Sequence, residues 1–246
     1  MLIALMSDIH ANREAFSACL AHAASYPVDR YVFLGDYVGY GADPGWAVDT
    51  VMDHVERGAI ALLGNHDEAI SAARVQMNEV ALAAIEWTRT RLDARQREFL
   101  SRLPLTMEEA DRLYVHASAQ TPAAWHYVTD VHEARQSFDA TARRATFCGH
   151  VHVPELYHLS AAGKIGAFTP VAGVGIPLLR RRRWLAVIGA VGQPRDGEPA
   201  ACYAVLDEER RTLTYVRVPY DVAGAGAKIR AAGLPSILAV RLEQGY

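Results

Sequence analysis

The residues of this chain that could do chemistry fall into five short motifs of carboxylate, imidazole and amide side chains. Asp8 and His10 stand two residues apart, and His150 and His152 repeat this spacing far along the chain. The other three motifs are Gly35-Asp36, Gly64-Asn65-His66-Asp67 and the single His116. Nitrogen and oxygen ligands of these kinds suit borderline divalent cations. The set therefore predicts a metal site.

The carboxylate of Asp36 indicates what such a site could do. A carboxylate has two oxygens, so it can bridge two cations about 3.5–4 Å apart. Imidazoles and one amide oxygen would complete both coordination shells without over-neutralising the ions. Two cations held in this way would each bind a phosphate oxygen and lower the pKa of a water between them. The motifs are therefore typical of metal-assisted hydrolysis of a phosphate ester.

Each motif alone also has an ordinary structural explanation. An Asp-x-His pair is commonly a strand-end cap or a satisfied polar pair, whereas paired histidines at a strand end are a costly way to fill space. Five such motifs in one chain are hard to explain as core packing, so we favour the metal interpretation. The remaining histidines are interpreted as surface or loop residues, with His126 kept as a pocket candidate: His22, His54, His126, His132 and His158.

Buried strands must position these motifs. Apolar runs at 2–6, 31–34 and 59–63 lead into the first three motifs, and the segments between them predict helices. A strand places residues i and i+2 on one side, so Asp8 and His10 should point at the same spot. Alternating strands and helices predict parallel crossovers, and ligands gather at the carboxyl ends of such strands.

The rest of the chain predicts further helices and a change to shorter strands. Residues 66–103 should be helical, as one or two amphipathic helices, and strands at 112–115 and 145–148 should lead into the last two motifs. From residue 156 onward, short β-type runs separated by Gly, Pro and Asp predict antiparallel hairpins. We expect the second half to form a second sheet packed on the first, within one domain spanning 1–246.

Composition excludes several classes of protein. No apolar run reaches the roughly 18 residues of a membrane span, and we find no signal-peptide pattern, so we expect a cytoplasmic protein without a membrane partner. The three widely spaced cysteines argue against a disulfide framework or a zinc ribbon. A net charge of −3 argues against stable nucleic-acid binding. Oligomeric state is left open.

The five motifs, in this order, resemble the signature of the calcineurin-like metallophosphoesterase superfamily over residues 1–152. Gly192-Gln193-Pro194-Arg195-Asp196-Gly197 and the strand at 203–207 resemble its small prokaryotic predicted phosphodiesterases. The resemblance implies an α/β (α+β-like) fold, a four-layer sandwich of two mixed β-sheets flanked by helices. It also implies two divalent ions, Mn, Fe, Zn or Ni. Their ligands would be Asp8, His10 and His152 for the first, Asn65, His116 and His150 for the second, and Asp36 as the bridge.

The resemblance also implies a reaction. The enzyme would hydrolyse phosphodiester or phosphomonoester bonds of small, nucleotide-like substrates by in-line attack of a metal-bridging hydroxide. His66 would protonate the leaving oxygen, and Asp67 would either orient His66 or serve as the acid of a helix N-terminus. The alternative is a catalytically weak or inactive scaffold of the same fold that binds metal and partner proteins.

Departures from the family pattern refine the expected substrate. The protein-phosphatase branch has an Asp-Arg pair in the stretch where this chain has Val38-Gly39-Tyr40, so its phosphate-binding arginine is missing here, which favours a phosphodiesterase. Ala11 stands where the family usually has Gly. Residues 187–190 replace a polar loop of the family, so we expect them to alter the lining of the pocket. Residues 180–183 form an arginine run that we interpret as a solvated turn. Candidate substrate contacts, weighed against ordinary surface roles, are Asn12, Arg13, Tyr40 and Arg195.

Overall fold

The first strand, β1 (Leu2–Met6), runs through the middle of a six-stranded sheet. A computed structural model describes residues 1–72 and 77–246 of the chain. Strands β2 (Arg30–Phe33) and β3 (Ile60–Ala61) continue the sheet in parallel, after helices α1 (Arg13–Ala23) and α2 (Pro44–Glu56). The predicted parallel crossovers are therefore confirmed, although β3 is shorter than the apolar run suggested.

The other half of this sheet comes from the end of the chain. On its second side β1 pairs antiparallel with β11 (Ala201–Asp207), followed by β12 (Thr212–Val218) and β9 (Gly175–Pro177). The expectation that the second half forms a second sheet packed on the first is met only in part, because β9, β11 and β12 join the first sheet. Without β11, one side of buried β1 would be left with unpaired backbone groups, which is costly.

The second sheet also has six strands, in the order β4-β5-β6-β10-β7-β8. Strands β5, β6 and β10 are parallel neighbours, and the others pair antiparallel, so this sheet is mixed as well. Strand β4 was not predicted because its sequence, Thr-Met-Glu-Glu, lacks an apolar pattern. The strands are β4 (Thr106–Glu109), β5 (Arg112–Val115), β6 (Ala145–Cys148), β7 (Glu155–Ser160), β8 (Ile165–Phe168) and β10 (Arg182–Val187).

Within its described residues, the stretch at 66–103 that was predicted as one or two helices contains three. They are α3 (Asn65–Ser71), α4 (Glu79–Arg89) and α5 (Ala94–Ser101), and part of the stretch, 73–76, lies outside the described residues. Helices α4 and α5 each begin directly after an N-capping residue. Asn78 and Asp93 accept hydrogen bonds from the backbone two or three residues into the next helix, as N-caps do.

Four layers result from this arrangement. Apolar side chains of both sheets, including Leu5 and Phe147, form one buried cluster between them. Helices α1 and α2 pack on the outer face of the first sheet, and α6 (Val131–Asp139) covers the second. Helices α7 (Val222–Ala231) and α8 (Ile237–Gln244) pack together beside α4. The predicted sandwich of two mixed sheets flanked by helices is confirmed. Across residues 1–72 and 77–246, no helix is both long and apolar enough to cross a bilayer.

Tyr37 ties the end of β2 to the turn after β3, and we expect its hydroxyl to matter for stability. The fully buried hydroxyl donates to Leu62 O at 2.6 Å and accepts from Leu62 N at 3.0 Å. Tyr37→Phe leaves the Leu62 carbonyl without its donor, while Leu62 N keeps its hydrogen bond to Phe33 O at 3.0 Å. The free energy of unfolding should therefore fall by about 1–3 kcal/mol. Urea denaturation measures this change.

The control is Tyr26→Phe, because the Tyr26 side chain is 44% exposed and its ring survives the change. We expect this variant to unfold at the urea midpoint of the parent chain. Equal midpoints for Tyr37→Phe and Tyr26→Phe would contradict the role given to the Tyr37 hydroxyl.

Candidate metal centre

The five motifs meet where the chain leaves β1, β2, β3, β5 and β6, and the backbone there is unusual. Asp8, His10, Asp36, His150 and His152 all have positive φ, between 49° and 66°. Residues other than Gly rarely adopt this region, and such strain concentrates at functional sites. Because β1 ends at Met6, left-handed turns bring Asp8 and His10 together, rather than the strand pleat that the sequence suggested.

The first cluster contains Asp8, His10 and His152, whose ligand atoms all lie within 4.8 Å of one another. His10 Nδ1 donates to Val38 O at 3.0 Å, and His152 Nδ1 donates to Gln193 O at 2.6 Å. With those protons on Nδ1, the two Nε2 atoms face each other as lone pairs, 3.1 Å apart. Asp8 Oδ1 lies 3.1 Å from His152 Nε2 and has no hydrogen-bond partner among the described residues. These buried lone pairs fit a cation.

The second cluster is built around Asp36 and His116. His116 Nδ1 donates to Leu34 O at 2.8 Å, which leaves its Nε2 to face Asn65 Oδ1 at 3.2 Å and Asp36 Oδ2 at 3.4 Å. The same Oδ2 lies 3.7 Å from His10 Nε2 in the first cluster. The Asp36 carboxylate therefore stands between the two clusters, where the sequence placed the bridge.

His150 completes the second cluster with the opposite tautomer. Its ligand atom lies within 4.8 Å of those of Asp36 and His116. Its Nε2 donates to Trp125 O at 3.0 Å, so the Nδ1 lone pair is the one free for a cation. The Tyr127 ring stacks on the imidazole at 4.2 Å. Sequence reasoning missed this use of Trp125, because no sequence pattern marks a carbonyl that fixes a distant imidazole.

The charges of the cluster favour a cation. Burial alone would raise the pKa of the Asp8 and Asp36 carboxyls, but nearby imidazoles, chiefly His152 and His116 respectively, hold both pKa values below the usual range. Burial lowers the pKa of His10 well below its usual value and that of His150 to about 3. The carboxylates are therefore anionic and the His10 and His150 imidazoles neutral, whereas the pKa of His116, which burial alone would lower, is raised to about 9 by the Asp36 carboxylate. Carboxylates and imidazoles together are a donor set for divalent metals.

Asp67 anchors the backbone around the shared carboxylate. Its Oδ2 accepts from Asp36 N at 2.7 Å and Gly64 N at 3.0 Å, and its Oδ1 accepts from Tyr37 N at 2.9 Å. These contacts agree with the helix N-terminal role rather than with orientation of the His66 ring. His66 Nδ1 has no hydrogen-bond partner within the described parts of the chain.

Two of the glycines before the ligands are required by space. A Cβ on Gly149 would collide with Ser7 Oγ and Asp8 Oδ2, and a Cβ on Gly64 would collide with Asp36 Oδ1. The sequence suggested tight turns at these positions. The structure shows that the stronger demand is close approach of the backbone to the buried carboxylates.

His66 lies against both clusters, on the side that faces a cleft. Its ring centroid is 4.8 Å from that of His10 and 4.6 Å from that of Tyr40. The cleft has a volume of about 470 Å³ and lies beside Asn65, His66 and His150. Tyr40, Trp125 and Tyr127 supply its aromatic walls.

The candidate substrate contacts divide into two pairs. Tyr40 lines the cleft, and the Arg195 guanidinium lies 5.7 Å from the centroid of its ring. Asn12 instead caps α1 by accepting from Ala15 N, and its amide donates to Gly192 O. Arg13 is exposed and lies over Trp46 at 5.0 Å. The structure therefore does not bring Asn12 or Arg13 to the cleft.

Residues 187–190, where an altered pocket lining was expected, are not among the residues that line the cleft. Val187 and Ile188 are fully buried in hydrophobic clusters, and neither is among the cleft-lining residues. An apolar segment fits there because it runs from a buried strand past Cys202. The arginine run at 180–183 is only partly the solvated turn that we expected. Residues 180–181 form an exposed turn, but Arg183 is half-buried and donates to Phe138 O at 2.7 Å.

Divalent metal should stabilise the folded chain. Binding only to the folded state at 100 times Kd adds about 2.7 kcal/mol to the free energy of unfolding. We expect Mn²⁺ to raise the Tm of metal-free protein in a calorimetric scan, and Asp36→Asn to lose most of that rise. Asp53→Asn, at an exposed position on α2, is the matched control and should keep it. No Mn²⁺-dependent rise in the parent chain would contradict the metal interpretation.

Comparisons with known proteins agree with this geometry. A family model described as the calcineurin-like phosphoesterase superfamily domain matches residues 1–211. An uncharacterised protein of Methanocaldococcus jannaschii is 32% identical over 260 residues, covering 99% of this chain and 98% of that protein.

Two solved structures extend the comparison over the whole fold. A metallophosphoesterase from Sphaerobacter thermophilus superposes with a TM-score of 0.88 and 35% identity, covering 100% of this chain and 99% of the other. A hypothetical protein from Pyrococcus horikoshii OT3 shares the fold with a TM-score of 0.81 and 17% identity, covering 100% and 98%. The resemblance drawn from the five motifs is confirmed, and the chain belongs to the calcineurin-like phosphoesterase superfamily.

Proposed function

We propose that the protein is a two-cation phosphoesterase that hydrolyses small, nucleotide-like phosphodiesters in preference to phosphoproteins. The observation that carries the proposal is the convergence of two ligand clusters on the one Asp36 carboxylate. Both sheets contribute to it, since Asp8 and Asp36 follow strands of the first sheet and His116 and His150 follow strands of the second. This supports a single domain spanning 1–246.

The donor set suits two divalent cations of the Mn, Fe, Zn and Ni group. When bound, such cations activate water and stabilise negative charge on phosphoryl oxygens. The chain contributes orientation, because backbone carbonyls fix the imidazole tautomers before any ligand arrives. The first cation would take Asp8, His10 and His152, the second would take Asn65, His116 and His150, and Asp36 would serve both.

His66 is the proposed general acid. Its ring lies against His10 and the cleft, so a leaving oxygen bound there would be close to the imidazole. Its Nδ1 makes no hydrogen bond to any described residue. A positioned acid of this kind contributes about 10²–10⁴-fold to a rate. Asp67 would act indirectly, by holding Asp36 and the start of α3 in place.

Arg195 is the proposed contact to the phosphoryl oxygens. Its Nη2 donates to Gln193 Oε1 at 3.0 Å, and its buried Nε has no hydrogen-bond partner within 1–72 and 77–246. The guanidinium lies over the ring of Tyr40, which lines the cleft. An arginine fork binds phosphate oxygens well. Because Gln193 O also fixes His152, one short segment would hold both a cation ligand and the phosphate contact.

The cleft supports the substrate class. Its volume of about 470 Å³ lies in the usual range for small-molecule sites. Tyr40, Trp125 and Tyr127 offer faces on which a nucleobase or aryl group can stack. Such a cleft suits a diester that carries an aromatic substituent better than a folded phosphoprotein.

Replacing His66 should separate catalysis from metal binding. With Mn²⁺ and bis-p-nitrophenyl phosphate, His66→Ala should lose about 10²–10⁴-fold in kcat while its metal content stays that of the parent protein. His132→Ala is the control, because His132 is exposed on α6. An unchanged rate in His66→Ala would remove His66 from the mechanism, and no turnover by the parent protein with any phosphoester would remove the function.

Replacing Arg195 should weaken the binding of the substrate's phosphoryl group without removing the cations. Arg195→Met should lower kcat/KM for the same diester by about 10- to 100-fold, which corresponds to one charge-assisted hydrogen bond. Arg210→Met is the matched control, because Arg210 is exposed on the turn between β11 and β12, away from the cleft. Equal kcat/KM values for the two variants would exclude the proposed phosphate contact.

A further inference from the structure

We propose that Trp125 is a positioning residue for the second cation, and that it acts through a latch formed by His150, Trp125 and Glu68. The inference rests on the proposed function only in taking the second cluster to hold a cation. It assigns to an exposed loop the task of orienting one metal ligand, and it joins that ligand to the helix that carries Asn65 and His66.

The first part of the latch is a backbone contact. Trp125 O accepts the Nε2 proton of His150 at 3.0 Å. A carbonyl can only accept, so the neutral imidazole keeps its proton on Nε2 and leaves the Nδ1 lone pair free for a cation held with Asp36 and His116. The partner carbonyls of the other three ligand histidines belong to buried residues, whereas the Trp125 carbonyl belongs to a loop at the surface.

The second part of the latch holds that carbonyl in place. Trp125 has φ 54° and ψ 36°, a left-handed conformation that is strained for a bulky residue, and it follows a single 3-10 turn at Pro122–Ala124. A strained residue in an exposed loop needs an external contact to stay there. The indole Nε1 supplies it by donating to Glu68 Oε2 at 2.9 Å.

The third part connects the latch to the rest of the site. Glu68 lies on α3, whose first residues are Asn65 and His66, so the indole contact ties the loop to the helix that supplies a ligand and the general acid. The edge of the Trp125 ring also meets His116, with 5.7 Å between centroids. Trp125 thus contacts two ligands of the second cation, His150 and His116, and is joined through Glu68 to the helix that carries the third, Asn65.

Breaking the latch should act on one cation rather than two. Loss of a hydrogen bond that orients a metal ligand typically costs 10- to 100-fold in metal affinity. The second cation should therefore bind 10- to 100-fold more weakly in latch variants. The first should be unaffected, because Val38 and Gln193 fix its two histidines.

The test is a calorimetric titration of the metal-free, full-length protein with Mn²⁺. Trp125→Phe keeps a ring but loses the N–H, and Glu68→Ala loses the acceptor. Both should weaken one of the two binding steps by 10- to 100-fold and leave the other step unchanged. Glu68→Gln retains an acceptor oxygen and should restore the parent affinity. Trp46→Phe on α2 is the control for Trp125→Phe, and Glu86→Ala, at an exposed position on α4, is the control for Glu68→Ala.

A second measurement reports the tautomer without metal or activity. The ¹⁵N chemical shifts of the His150 imidazole should show a proton on Nε2 in the parent protein and in Glu68→Gln. They should show a mixture of tautomers in Trp125→Phe and Glu68→Ala, with circular dichroism unchanged. Parent-like Mn²⁺ affinity or a parent-like tautomer in both disrupting variants would overturn the latch.

The two proposals fail in distinguishable ways. If the parent protein hydrolyses no phosphoester, the proposed function falls, but the Mn²⁺ titration and the imidazole shifts still decide the latch. If the parent protein is active and Trp125→Phe and Glu68→Ala bind both ions as it does, the latch falls and the proposed function stands.

Discussion

The site depends on holding the lone pairs of buried imidazoles toward shared carboxylates. An imidazole can turn or change its tautomer, so burial alone does not aim it. Here the carbonyls of Val38, Leu34, Gln193 and Trp125 each accept one ring proton and thereby direct the opposite nitrogen inward. The result is a set of buried acceptor atoms that would repel one another unless a cation or a proton lay between them.

Holding this arrangement requires a strained backbone at the ligand residues, and the surrounding fold must stabilise it. Left-handed backbone at the aspartate and histidine ligands costs of order 1–3 kcal/mol per residue, which the two packed sheets must offset. Asp67 gathers three backbone amides from two segments so that the Asp36 turn and the start of α3 keep a fixed separation. The absence of side chains at Gly64 and Gly149 then lets the two sheets' loops approach the carboxylates. Stability and site geometry are therefore coupled through the same residues.

Sequence reasoning succeeded where the information is local. The ligand motifs and the parallel strands that precede them were read from short patterns, whereas the helix starts after Asn78 and Asp93 were missed. The pairing of β1 with β11 could not be read in this way, because it joins the two ends of the chain. The contact of His150 with Trp125 involves a backbone atom 25 positions away, which leaves no mark on residue type. Asn12 was a reasonable substrate candidate until the structure gave its side chain a capping role.

The most direct test of the account is an anomalous difference map from crystals grown with Mn²⁺. Two peaks about 3.5–4 Å apart should flank the Asp36 carboxylate. One should touch Asp8, His10 and His152, and the other should touch Asn65, His116 and His150. A single peak, or manganese bound elsewhere with these side chains in contact with no ion, would contradict the claim that the two clusters form one binuclear centre.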